Sequence, residues 1–279
     1  MAWGDGGTLG SGQSKTAATT IALTTSAVAE AGSVVMVVVA IDNTATADAE
    51  TSEVSSISDS AGGNTWVKVK EWCNAQGGAN AGATASLWYS KLTNQIASGG
   101  TITANLANSI TAKAITAWKF TFGAGSTISV ANSLTQSVDG ADPGLMTIFN
   151  LPDGEHLQVR GIAGEDKDTT QITPTSGYTA FSANQTSGGG AAANMGVRGE
   201  WRISTVSSPE SDPTWVNCDN ASVYVALKET AASLTVAQQA GLLQPASLDE
   251  QLTDDPRSFI QALCDRVAAA HRVVRLAST

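Results

Sequence analysis

The sequence predicts an all-β protein, an antiparallel β-sandwich or jelly roll, followed by a C-terminal amphipathic helix. Three observations predict it. Short β-branched and aromatic runs recur through residues 1–230, and Gly, Pro, Asn and Asp punctuate the gaps. No interior segment joins a helix cap to a 3.6-residue period. At 279 residues the chain is long enough for one large β domain or two smaller ones. Charged residues make up 14% and hydrophobic residues 42%; Ala, Gly, Ser and Thr fill the deficit. That balance suits an ordered fold with a neutral, hydroxyl-rich surface.

Val34 to Ile41 is a continuous apolar run between Gly32 and Asp42-Asn43, the pattern of a central strand covered on both faces. Trp66 to Cys73 alternates instead, with Val67, Val69 and Cys73 on one face and Trp66, Lys68, Lys70 and Trp72 on the other. Further strands are expected at Ala83 to Leu92, Thr101 to Leu106, Ile110 to Phe122, Thr127 to Val130, Leu145 to Asn150 and His156 to Ala163. The last group is Tyr178 to Ala183, Met195 to Val206 and Ser222 to Lys228. Gly99-Gly100, Gly123 to Gly125, Asp139-Gly140, Asp142 to Gly144 and Asp153-Gly154 supply the turns, because these residues tolerate positive φ or preset it.

After this body, 231–254 reads as a linker with room for a short helix, and 255–279 as a helix. Asp255 before Pro256 is a cap followed by proline at the first helical position. Ile260, Leu263, Val267, Ala270 and Val274 repeat at 3-4 spacing, and Phe259 widens the stripe into an assembly face. Arg266, Arg272 and Arg275 complement the helix dipole. An isolated helix of this length is marginal in water, so the stripe needs a partner: the protein's own body or another chain.

The net charge of −10 opposes binding to phosphate backbones, which excludes nucleic acid as a partner for the body. Charge is uneven, since over 256–279 four arginines stand against Asp265 alone. No apolar run approaches the roughly 20 residues of a membrane-spanning helix, and the N terminus has no signal-peptide pattern. Cys73, Cys218 and Cys264 are widely spaced and form neither a disulfide framework nor a metal pair; buried thiols in a reducing compartment are expected.

Only His156 and His271 could serve a Ser-His-acid mechanism, and no Gly-x-Ser-x-Gly elbow exists. His156 is expected at the surface. Glycoside hydrolysis needs only two facing carboxylates, so a polysaccharide-degrading spike stays open. Glu165, Asp166 and Asp168 alternate in a way that suggests a Ca²⁺ loop, but the full EF-hand pattern is missing and a solvated loop is the simpler expectation. No cofactor motif occurs. Of the seven tryptophans, core filling is the default, while Trp66 and Trp72, predicted on one face with two lysines, are candidates for an interface or a glycan platform.

Asp59-Ser-Ala-Gly-Gly-Asn-Thr-Trp66, Ala85-Ser-Leu-Trp-Tyr-Ser-Lys91, Ala112-Lys-Ala-Ile-Thr-Ala-Trp-Lys-Phe120 and Ser222-Val-Tyr-Val-Ala-Leu-Lys228 together resemble β-sandwich virion proteins of tailed bacteriophages. The likeness covers about residues 15 to 229 and is one of strands and turns. It implies a non-enzymatic structural protein that decorates a capsid or belongs to a fibre or tail tip. It also implies virion partners, assembly in the bacterial cytoplasm and a symmetric homo-oligomer, a trimer among the forms. A tail-tip module that binds a host glycan or receptor is the alternative. The resemblance carries over no functional residue.

Overall fold

The computed structural model describes residues 3–42, 47–75, 82–121, 123, 125–166, 170–190 and 193–230. The predicted linker 231–254, the helix 255–279 with Phe259, Ile260, Leu263, Val267, Ala270 and Val274, and Asp168 all lie outside these residues. One compact unit spans Met1–Ala232. Its described residues are all-β, and every pair of strands is antiparallel.

In chain order the strands are β1 (Gly4–Ser14), β2 (Ala18–Thr24), β3 (Val34–Asp42), β4 (Val54–Asp59), β5 (Val67–Cys73) and β6 (Ala83–Lys91). There follow β7 (Thr101–Ile110), β8 (Lys113–Thr121), β9 (Thr127–Ala141), β10 (Met146–Thr147) and β11 (His156–Gly164). The last are β12 (Thr179–Ala180), β13 (Asn184–Gln185), β14 (Gly196–Ser204), β15 (Glu210–Ser211) and β16 (Cys218–Thr230). They form a five-stranded sheet β1-β8-β3-β6-β5, a three-stranded sheet β2-β7-β4, a larger sheet β12-β14-β11-β16-β9 with β13 on β14, and a ribbon β10-β15.

Three layers result, with the five-stranded sheet in the middle. Val34, Met36, Val38 and Ala40 of β3 pack with Leu157, Val159, Val223, Val225 and Leu227 of the larger sheet. Val35, Val37, Val39 and Ile41 face the other way, onto Ile21, Leu23, Val54, Ile57, Ile102 and Ala104 of the three-stranded sheet. All eight residues Val34 to Ile41 are fully buried, as the unbroken apolar run predicts. At the centre Gly161 of β11 lies so close to Val38 that a Cβ would stand 2.8 Å from its Cγ1. Glycine permits this approach. Phe120, Trp118, Trp201 and Phe181 pack beside it, with Phe120 edge-on to Trp201 at 5.1 Å.

Several expectations change. The sequence gives no strand signal for β1, whose segment GDGGTLGSGQS is rich in glycine. Two of those glycines, Gly7 and Gly10, have positive φ at bulges in the β1–β8 ladder, and a Cβ on Gly12 would meet the Ala22 carbonyl at 2.3 Å. β2 and β4 are also additions. The turn expected at Asp139-Gly140 instead lies within β9, which follows β16 to Ala141 because a bulge there absorbs the positive φ of Gly140. Leu145 to Asn150 and Tyr178 to Ala183 contribute only the two-residue strands β10 and β12.

Candidate functional site

The candidate sites fall into three places, of which the first and third include residues singled out from the sequence. Trp66 and Trp72 were expected to share one face, and they do not. Lys68 is opposite Trp88 and Lys70 opposite Leu87, so Val69 is an extra residue that reverses the alternation of β5. Trp66 therefore packs on the core beneath the three-stranded sheet, and Trp72 on the core facing the larger sheet. Both are half-buried with committed indole N–H groups: Trp66 Nε1 donates to Asp59 Oδ2 at 2.8 Å and Trp72 Nε1 to Ser137 Oγ at 3.0 Å. The same bulge brings Lys68 over the Trp88 ring at 5.1 Å and to 3.2 Å from the fully buried Glu71. Glu71 also accepts from Thr51 Oγ1, the Glu53 amide and the Val54 amide.

The Asp59 to Trp66 segment is a self-locked turn. Asp59 Oδ1 accepts from the amides of Ala61 and Gly62 and from Asn64 Nδ2, while Asn64 Oδ1 accepts from the amides of Thr93 and Asn94. Gly62 and Gly63 supply the positive φ that the turn requires. The acid, the glycines, Asn64 and Trp66 of this segment thus each have a structural task.

The second place was not foreseen. The outer face of the larger sheet carries Gln158 and Arg160 from β11, Glu200 and Arg202 from β14, and Ser222 and Tyr224 from β16. Alternation alone marks such a face as solvent-exposed, yet Gln158, Arg160, Glu200, Ser222 and Tyr224 have no exposure. The covering segments contribute Met146, Ile148, Leu151 and Tyr178. Arg160 Nη1 donates to the carbonyls of Gly144 and Ser211, and Nη2 donates to Gln136 Oε1 and Ser222 Oγ. Ser211 Oγ in turn donates to Glu200 Oε1 at 2.6 Å, and Glu200 also accepts from the Thr175 amide and hydroxyl. Burial pushes the guanidinium down to about 10, so Arg160 stays charged at neutral pH. Tyr178 and Tyr224 share a 2.5 Å hydrogen bond, Arg202 stacks on Tyr178 at 4.5 Å, and burial raises the pKa of both phenols. This cluster braces loops onto a sheet.

The third place lies between the sheets at one end of the sandwich. Asp42 closes β3, Asn74 follows β5, Gly82 precedes β6, Glu165 follows β11, and Asp219 is in β16. Glu165 is 6% exposed; its amide donates to the Asp219 carbonyl, and its Oε2 accepts from the Gly82 amide at 3.0 Å. Burial, with Asp219 and Asp42 adding negative charge nearby, pushes its pKa up to about 7. Glu165 is therefore not a solvated loop residue. Its neighbour Asp166 is described and Asp168 is not, so the three expected ligands are not seen as a set. Among the described residues no three His, Cys, Asp or Glu side chains group to hold a metal ion.

His156 was expected at the surface and is buried, because it starts β11 between β14 and β16. Burial and then the Lys228 ammonium push its pKa down. Cys73 and Cys218 are buried thiols, and burial pushes Cys218 up to about 12, which makes it inert as a nucleophile. No helix among the described residues is long and apolar enough to cross a membrane.

Fold and sites together define an all-β, three-layered sandwich whose buried polar groups mostly hold loops to sheets. Compared with known proteins, the chain matches no protein family and no curated protein.

Proposed function

We propose that the chain is a non-enzymatic structural component of a tailed-bacteriophage virion, a head or capsid decoration protein in preference to a tail or fibre accessory. It acts by protein–protein assembly, as a homo-oligomer among other virion proteins. One observation carries this reading: the segments that resemble phage sandwich proteins are scaffold. Asp59 to Trp66 is the locked turn, and the other three are the inner strands β6, β8 and β16. The ribbon β10-β15 supplies a surface for assembly. Its flanking residues Leu145 and Phe149 are 51% and 64% exposed, whereas Met146 and Ile148 between them are buried.

Mass spectrometry and antibody labelling of gradient-purified particles from the host of this gene test the proposal. Stoichiometric recovery at symmetric positions on the head is expected. Intact particles that lack the chain overturn it.

A further inference from the structure

We propose that the end of the sandwich between β3, β5 and β11 is a calcium site, built on the side-chain oxygens of Glu165 and Asn74. The inference is independent of the virion reading. Two buried oxygens point to it. Neither Glu165 Oε1 nor Asn74 Oδ1 is met by a hydrogen-bond donor among the described residues, although their residues are 6% and 0% exposed. A buried acceptor without a donor costs about 1–3 kcal/mol, and more when charged, so a cation that met both oxygens would be stabilising.

Both oxygens belong to side chains that converge on Gly82. Its amide binds the other oxygen of Glu165, and a Cβ there would come within 2.9 Å of Asn74 Oδ1 and 2.0 Å of the Asn74 carbonyl. Gly82 has φ +87°, so the backbone is held in a form that leaves this cradle clear. Asn74 is itself fixed, since its Nδ2 donates to the carbonyls of Val138 and Asn220 and to Asp139 Oδ1. That pattern leaves Oδ1 as the end available to a cation.

The surroundings select the sign and hardness of the ligand. Asp42 and Asp219 place negative charge around Glu165. The two donors are a carboxylate and an amide oxygen, with no imidazole beside them, which suits a hard cation. Calcium accepts an irregular shell completed by carbonyls and water, whereas magnesium demands a near-ideal octahedron. One buried carboxylate with neutral amide oxygen is a low-charge ligand set, so affinity belongs in the range of about 10⁻⁴–10⁻³ M found in extracellular modules.

The experiment is calorimetric titration of CaCl₂ into the full chain at pH 7, with a thermal melt at each concentration. One site per chain is expected, with a melting midpoint raised by several degrees at about 100-fold excess over Kd. Glu165→Gln should lower affinity at least about tenfold, and its unliganded fold is checked by circular dichroism. No binding by the wild-type chain up to about 10 mM overturns the proposal. Unchanged affinity in Glu165→Gln also overturns it, because surface carboxylates would then be responsible.

Discussion

The middle sheet and the larger sheet follow the same two-residue alternation and use it differently. β3 is apolar on both faces, and hydrophobic layers cover both. β11, β14 and β16 are apolar towards β3, but their opposite face carries Gln158, Arg160, Glu200, Arg202 and Tyr224, most of it just as deeply buried. A polar face is therefore not a solvent face when loops can satisfy it. The first interface depends on shape and apolar area, the second on complete hydrogen bonding.

Removing Arg160 tests the second interface most severely. Arg160→Ala leaves Glu200 and several carbonyls buried without their cation, and urea denaturation should register a loss of about 3–5 kcal/mol. Combining Arg160→Met with Glu200→Gln should cost less than the sum of the two single changes, because the pair is coupled through Ser211. Simple additivity would mean that the two charges do not depend on one another.

In the apolar interface, Leu87→Ala should cost about 2–5 kcal/mol by the same measurement, since Leu87 is fully buried against the larger sheet. Gly161→Ala, which adds one methyl 2.8 Å from Val38, should cost about 1–3 kcal/mol through overpacking. A neutral result there would show that the sheets can move apart at their centre.

Titration gives a gentler contrast. Glu165 has a folded pKa near 7, above its ordinary value of 4.5, so the folded state binds more protons between those limits. Stability contributed by this group is present at the acid end and is lost as pH rises through that window. In chelator-treated buffer, Glu165→Gln should flatten that slope. Smallest of all, Leu145→Ser with Phe149→Ser should shift monomer stability by no more than about 0.5 kcal/mol per site, because both residues are exposed. The same pair should reduce oligomerisation or particle incorporation if the ribbon is the assembly surface.

Much of the scaffold is legible in the sequence, the sites less so. Val34 to Ile41 announces a strand covered on both faces, and Ala83 to Leu92, Ile110 to Phe122, His156 to Ala163 and Ser222 to Lys228 announce β6, β8, β11 and β16 within a few residues. β1 is obscured because Gly10 and Gly12 reflect close approach to β2 and Gly4 and Gly6 close approach to β8, contacts absent from local pattern. Trp66 and Trp72 are individually visible, but the bulge at Val69 that parts them is not. Glu165 and Asp166 stand out as an acidic pair, whereas Asn74 gives no signal and becomes notable only beside Gly82 and Glu165.

The sequence by itself determined strand content, the central place of β3 and the turns at Gly99-Gly100 and Asp153-Gly154. Each is encoded within a few residues, by period-two hydrophobicity or by a φ that only certain side chains accept. Tertiary structure decided which polar face is covered, where alternation reverses, and which acids meet at the sandwich end. Those outcomes depend on segments far apart in the chain, and burial energy is settled only when the covering surface arrives.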